Sequence, residues 1–177
     1  MNEIIKKNGV TFGLILGLFA ILITAGIYAI DLELFTKPWI GVISIVISIL
    51  IGVILVSKTK KQMGNITFKE AFTVYFIASV IGGLISTIFS YVLFNFIDTQ
   101  AKETLKEITM KYTSEMLEKF GSPASVVNET MQKLSETDNY SLGNLFFAYA
   151  ISLVFSSLFG LILAAIFKSK SPSSQGS

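Results

Sequence analysis

Four long windows of this chain carry no charged residue: Asn8 to Ile30 (23 residues), Pro38 to Ser57 (20), Ala71 to Ile97 (27) and Asn139 to Phe167 (29). Together they take up 99 of the 177 residues, so all 26 charges fall on the remainder. Water-soluble domains intersperse charge along their helices. Apolar windows of this length instead read as membrane-spanning helices, because about 20 helical residues cross a bilayer core. With no Cys and no His, the chain also lacks the ligands of a zinc domain and the bonds of a disulfide scaffold. The expected fold class is therefore all-α: an integral membrane four-helix bundle.

Start signals place the spans. The first runs over about 10–30, after Lys6 and Lys7. A basic start before an apolar run also fits a signal peptide, and Thr24-Ala25-Gly26 is a passable cleavage motif. The length of the run and its Gly13 and Gly17 favour a retained helix instead. The second span, 38–56, opens with Pro38 at a helical first position and Trp39 as an interfacial anchor. The third, 68–97, opens with Thr67 and Glu70 spaced as a capping box. The fourth covers 142–167, and 168–177 reads as a disordered tail.

Lysine distribution predicts orientation. Lys6, Lys7, Lys58, Lys60, Lys61, Lys69, Lys168 and Lys170 share one side, whereas the short loop opposite holds Lys37 alone. By the positive-inside rule both termini are expected in the cytoplasm and segment 98–141 outside. Tyr28, Trp39, Tyr91, Phe94, Phe96, Tyr140, Phe146 and Phe147 gather at the same expected outer ends.

Each span carries small residues at four-residue spacing. These are Gly9, Gly13 and Gly17; Ser44, Ser48 and Gly52; Ala78, Gly82, Ser86 and Ser90; and Ala148, Ser152, Ser156, Gly160 and Ala164. In lipid, such faces let helix backbones approach closely. They serve either packing inside the bundle or, for Gly9-Gly13-Gly17 in particular, contact with another copy in a homo-oligomer. No ionisable residue lies at mid-span, where a transport pathway usually places one. Asp98 suits the N-cap of a helix starting at Thr99. Asp31, Glu33, Asn95 and Asp98 form a weak polar cluster of hard oxygen donors at the outer ends, with solvated interfacial residues as the default reading.

Residues 98–141 form the least minimal part of the chain. Ala101, Leu105, Ile108, Tyr112, Met116 and Phe120 recur at helical spacing among charged residues, as in an amphipathic helix. Gly121 ends that helix, and Ser122-Pro123 reads as the N-cap and first turn of a second one, with Val127, Met131 and Leu134 on one face. The stripe Leu105, Ile108, Tyr112, Met116 and Phe120 is the candidate partner face. The two apolar stripes are expected to bury against each other and the bundle's outer end, or else against a partner protein, a second copy or the membrane surface. The insert holds eight acids to five lysines, which disfavours both anionic lipid surfaces and nucleic acid.

Enzyme signals are poor: no phosphate loop or dinucleotide fingerprint is present, and no catalytic, cofactor or metal residue is assigned. The expected function is a non-enzymatic membrane scaffold that presents the hairpin outside. The alternative is a small transporter, channel subunit or lipid-handling protein acting as an oligomer. An axial cavity lined by Ser86, Ser90, Asn95 and Asn144 would favour the alternative.

The stretch Asn65 to Phe72, the segment Phe94 to Asp98, the pair Asn8-Gly9 and the Glu-rich insert resemble a family of small four-span bacterial proteins catalogued only as a domain of unknown function. In that family Pro usually follows the position of Asp98, where this chain has Thr99. The resemblance implies a bacterial inner membrane and the same four-span plan, and it implies no activity. Val10-Thr11-Phe12 and Ile66-Thr67-Phe68, with Ile30-Asp31 and Ile97-Asp98, hint further at a duplicated hairpin.

Overall fold

In a bilayer every backbone polar group needs a partner within the protein, so an apolar segment crosses as a helix. The computed structural model, which describes residues 2–169, has four such helices and no strand among the described residues. They are α1 (Glu3–Ile30), α2 (Pro38–Met63), α3 (Phe68–Val92) and α6 (Leu142–Phe167). A π-helical turn, Leu93–Ile97, extends α3 to a 30-residue apolar rod. Between α3 and α6 lie α4 (Thr99–Lys119) and α5 (Ala124–Glu136).

The helices outrun the uncharged windows because capping, rather than charge, sets their ends. Asn2 accepts from the Ile4 N–H at 2.9 Å and starts α1 about two turns before Val10. At the far end of α2, Gly64 at φ 76 stops a helix that has continued through Lys58, Lys60 and Lys61. The Thr67–Glu70 capping box is present, with the Thr67 N–H donating to Glu70 Oε2 at 2.9 Å. Thr11, in contrast, lies inside α1, so the likeness between the openings of the first and third spans is not an alignment of caps. Pro123, rather than Ser122, is the N-cap of α5, and Gly121 reverses the chain at φ 70. Part of the expected tail is ordered. The Ser169 N–H donates to the Ile66 carbonyl at 2.8 Å, and the Ile66 N–H donates back to Ser169 Oγ at 3.0 Å. Residues 170–177 lie outside the described residues.

Helix α3 is the hub. It packs along α1 on one side and α6 on the other, and α2 leans across all three. A β-carbon at Gly9 would stand 2.8 Å from Cγ2 of Ile77, one at Gly13 2.7 Å from Cβ of Ile81, and one at Gly17 2.8 Å from Cβ of Ile85. Three successive glycines thus receive three successive isoleucines. Gly82 repeats the contact in reverse, with Leu16 Cβ at 2.8 Å and the Gly13 carbonyl at 3.2 Å. The glycine stripe of α1 is therefore occupied within the molecule and leaves no free face for a second copy.

The lysine-rich end of the bundle is solid. Ile5, Phe12, Leu55, Val56, Ile66, Val74, Tyr75 and Leu163 form its core. Inside it, Asn8 Nδ2 donates to Thr59 Oγ1 at 3.0 Å and to Gln62 Oε1 at 2.7 Å, a polar tie between α1 and α2. A second core at the opposite end centres on Leu93, Phe94, Ala101 and Leu105.

Overpacking of close-packed positions typically costs about 1–3 kcal/mol. Gly13→Leu is expected to destabilise the detergent-solubilised protein on that scale, because the Ala78 carbonyl, 3.1 Å from the added carbon, belongs to backbone that cannot yield. Gly26→Leu, where no atom lies within 4 Å, is expected to be neutral. Thermal unfolding followed by circular dichroism checks the pair. Equal midpoints for both variants would contradict this packing.

Candidate functional site

Between the two cores the bundle is hollow. A cavity of about 730 Å³ lies among α1, α2, α3 and α6, within the range of roughly 300–1,000 Å³ common for ligand sites. Its walls are apolar, including Leu16, Phe19, Ile23, Ile49, Leu153 and Phe159. Hydroxyls are set into them at Thr24, Ser44, Ser48, Ser79, Ser86, Ser152 and Ser156, and none of the lining side chains is charged.

The hollow follows from residue size. Near the lysine-rich end, Gly52 of α2 and Gly160 of α6 admit the Tyr75 ring between them. Added β-carbons there would fall 2.5 Å from Tyr75 Cε2 and 2.8 Å from its Cδ1. That ring, 6% exposed, closes the cavity on this side. One turn farther along, the Ser156 hydroxyl donates to Ser79 Oγ at 2.7 Å, and beyond it the Tyr149 hydroxyl donates to the Val80 carbonyl at 2.9 Å. These two bonds hold α6 against α3. Among the described residues, helix α2 has no matching bond along this stretch: Ser44 and Ser48 donate to their own helix, at the carbonyls of Ile40 and Ser44. Ile45 and Phe155 line the cavity and are still 54% and 59% exposed. The cavity thus opens sideways where α2 and α6 diverge.

The small-residue positions divide accordingly. Gly9, Gly13, Gly17 and Gly82 are packing contacts, and Gly160 seats Tyr75 and Phe72. Ser86, Ser152 and Ser156 line the cavity, whereas Ser90, half-buried on α3, does not. Two other residues expected on an axial polar path lie elsewhere. Asn95 donates to the carbonyls of Tyr91 (3.0 Å) and Tyr140 (2.9 Å), and Asn144 donates to the Asp138 carbonyl at 2.8 Å. Tyr75 was missed by the small-residue pattern. Its signal in the sequence is only its i, i+4 spacing with Ser79 and Ala71, which any helix face could show.

At the hairpin end the residues of the expected polar cluster are engaged separately. Asp31 accepts from the Glu33 N–H at 2.8 Å and caps a 3-10 turn, Leu32–Thr36. Glu33 stands 3.9 Å from Lys37 in solvent. Asp98 caps α4, accepting from the Ala101 N–H at 2.9 Å, and its other oxygen accepts from the Tyr28 hydroxyl at 2.8 Å. Those two bonds hold its carboxyl below the ordinary 3.8. Among the described residues, no group of three or more carboxylates comes together as a metal site.

Lys102 of α4 donates to Asp138 at 2.9 Å and to Asn95 Oδ1 at 3.3 Å, so one ammonium ties α3, α4 and the entry to α6 together. Burial opposes ionisation of Asp138, but Lys102 and the Tyr140 N–H outweigh it and keep the carboxyl low. Burial pushes the Tyr140 phenol up to about 12, and its ring lies 4.2 Å from that of Phe94.

Of the candidate partner face, Leu105 is buried in this end core and is not available to a partner. Ile108 and Tyr112 are half-buried, while Met116 (39%) and Phe120 (81%) are exposed. The stripe thus docks at its base and stands free at its tip.

A carboxylate held below its ordinary value supports the fold above that value and stops doing so below it. Hydrogen-exchange protection factors in the first turn of α4 should therefore stay flat from pH 7 down to about pH 5 and fall below 3.8. Asp98→Ala should show low protection throughout. A transition above pH 5 would rule out this carboxylate as its cause.

No curated protein and no solved structure matches the chain. One family model does, described as "Protein of unknown function (DUF4199)", and it matches residues 11–169. That span takes in most of α1, all of α2, α3 and α6, the cavity and the hairpin, and the chain belongs to the DUF4199 family.

Proposed function

We propose that this multi-pass membrane protein is a non-enzymatic lipid-handling protein of the bacterial inner membrane, which admits a lipid from the bilayer into its central cavity. The single observation that carries this is the cavity itself: apolar, uncharged, within the membrane-spanning helices and open sideways. A bilayer-facing opening admits a lipid and offers ions no hydrated path. Tyr75 blocks the lysine-rich end, which favours a binding or carrying role over a continuous channel.

The same proposal sets both termini in the cytoplasm and the α4–α5 hairpin outside, on the eight-to-one lysine count of the short loops. No nucleic acid is involved, since the hairpin is net acidic. A second reading, a scaffold that presents the hairpin to a membrane partner, is favoured by α5: none of its residues is buried, and it packs on α4.

Two measurements test the proposal. Protein purified in mild detergent should carry bound lipid, read by native mass spectrometry. Ser48→Phe, which fills the cavity from a position with no bond to another helix, should lose most of it without unfolding. Wild-type protein without bound lipid would refute the lipid-handling role. A cysteine at position 110 should react with a membrane-impermeant maleimide in intact spheroplasts. Reaction only after lysis would reverse the orientation.

A further inference from the structure

The lining hydroxyls are not equivalent. Ser44, Ser48, Ser79 and Ser152 each donate to a carbonyl of their own helix, and Ser156 donates to Ser79. Thr24 and Ser86 make no hydrogen bond among the described residues, but they are only half-buried. Tyr75 also has no partner for its hydroxyl among the described residues, and the residue is just 6% exposed. Its ring cannot swing to find one, because Gly52 and Gly160 grip it from either side. An unpaired donor in an apolar setting is costly, and tyrosine hydroxyls in such settings normally have a partner. A phenylalanine would fill the same slot between the glycines without that cost.

We propose that Tyr75 is the recognition residue for a neutral lipid, donating to a carbonyl, hydroxyl or ether oxygen of the ligand. This deepens the lipid-handling reading and rests on it. The charge state follows from the lining: among the described residues no Lys, Asp or Glu reaches the cavity to neutralise a headgroup, and an unpaired charge at mid-membrane is expensive. A phospholipid headgroup is therefore excluded, and a diacylglycerol-like molecule fits. Its polar end would sit at the floor beside Tyr75, Ser79 and Ser156, with its chains leaving past Ile45 and Phe155 into the bilayer.

The test uses the full chain in nanodiscs with three photoreactive probes: a diazirine diacylglycerol, a diazirine phosphatidylglycerol and a diazirine alkane. The diacylglycerol probe should label peptides of the cavity wall at least ten times more strongly than the phosphatidylglycerol probe. Tyr75→Phe should lower diacylglycerol labelling about five- to tenfold, the scale of one lost hydrogen bond, and leave alkane labelling unchanged. Competition on the wild-type protein decides the matter even where the variant fails to fold: unlabelled diacylglycerol should displace the probe and unlabelled phosphatidylglycerol should not. Equal labelling by the charged probe, equal competition, or full diacylglycerol labelling of a folded Tyr75→Phe would overturn this assignment while leaving lipid binding intact. Absence of cavity labelling by every probe would overturn both.

Discussion

The close approach of α1 to α3 is the constraint on which the rest of the molecule depends. Lipid tails solvate leucine as well as another helix does, so burial of apolar surface does not drive spans together. What remains is dispersion at short range, and that requires backbones near enough to touch. Gly9, Gly13 and Gly17 provide this by taking Ile77, Ile81 and Ile85 into the space their missing side chains leave. With α3 fixed to α1, its opposite face meets α6 through Gly160 and the Tyr149 and Ser156 hydrogen bonds.

The hollow is the consequence of where this device stops. Among the described residues, helix α2 has one glycine contact, at Gly52, and is tied to α1 by the Asn8 amide through Thr59 and Gln62, both toward the lysine-rich end. Beyond them its serines bond to their own backbone and offer α6 nothing. A small residue without a large one opposite it leaves a void, and a serine in that void leaves a polar one. The same residue pattern that packs α1 on α3 thus produces a cavity between α2 and α6.

The hairpin is held by a different physics. At the bundle's end, hydrogen bonds work in partial water, and Lys102, Asp138, Asn95 and Asp98 join elements far apart in sequence. Apolar packing of Leu105 with Leu93 and Phe94 fixes the base of α4. Burial fades along the helix toward Phe120, so the hairpin is rigid at its root and bare at its tip. The π turn before Asp98 supplies a sharp exit from α3. The Asp98 N–H reaches back to the Leu93 carbonyl at 2.8 Å, and α4 begins at the next residue.

Much of this was legible from residues alone, for local reasons. Charge-free windows show which segments cross, the Thr67–Glu70 spacing shows where α3 starts, and Gly121 and Asp98 show where the hairpin turns and begins. Each of these is settled within a few residues of chain. Helix ends at Asn2 and Gly64 lay beyond the charge boundaries because a helix continues until its backbone is capped, whether or not lysines ride on it. The site was not legible. Glycine and serine stripes look alike in sequence, and only the residue across the interface decides whether a small side chain marks a contact or a void. Opposite Gly13 stands Ile81; around Ser48 stands open space. Sequence by itself therefore determined the number of spans and the helical insert, through solvation and capping. Tertiary structure alone decided that Tyr75 would be buried between two glycines beneath a cavity, because that depends on three helices meeting at one height.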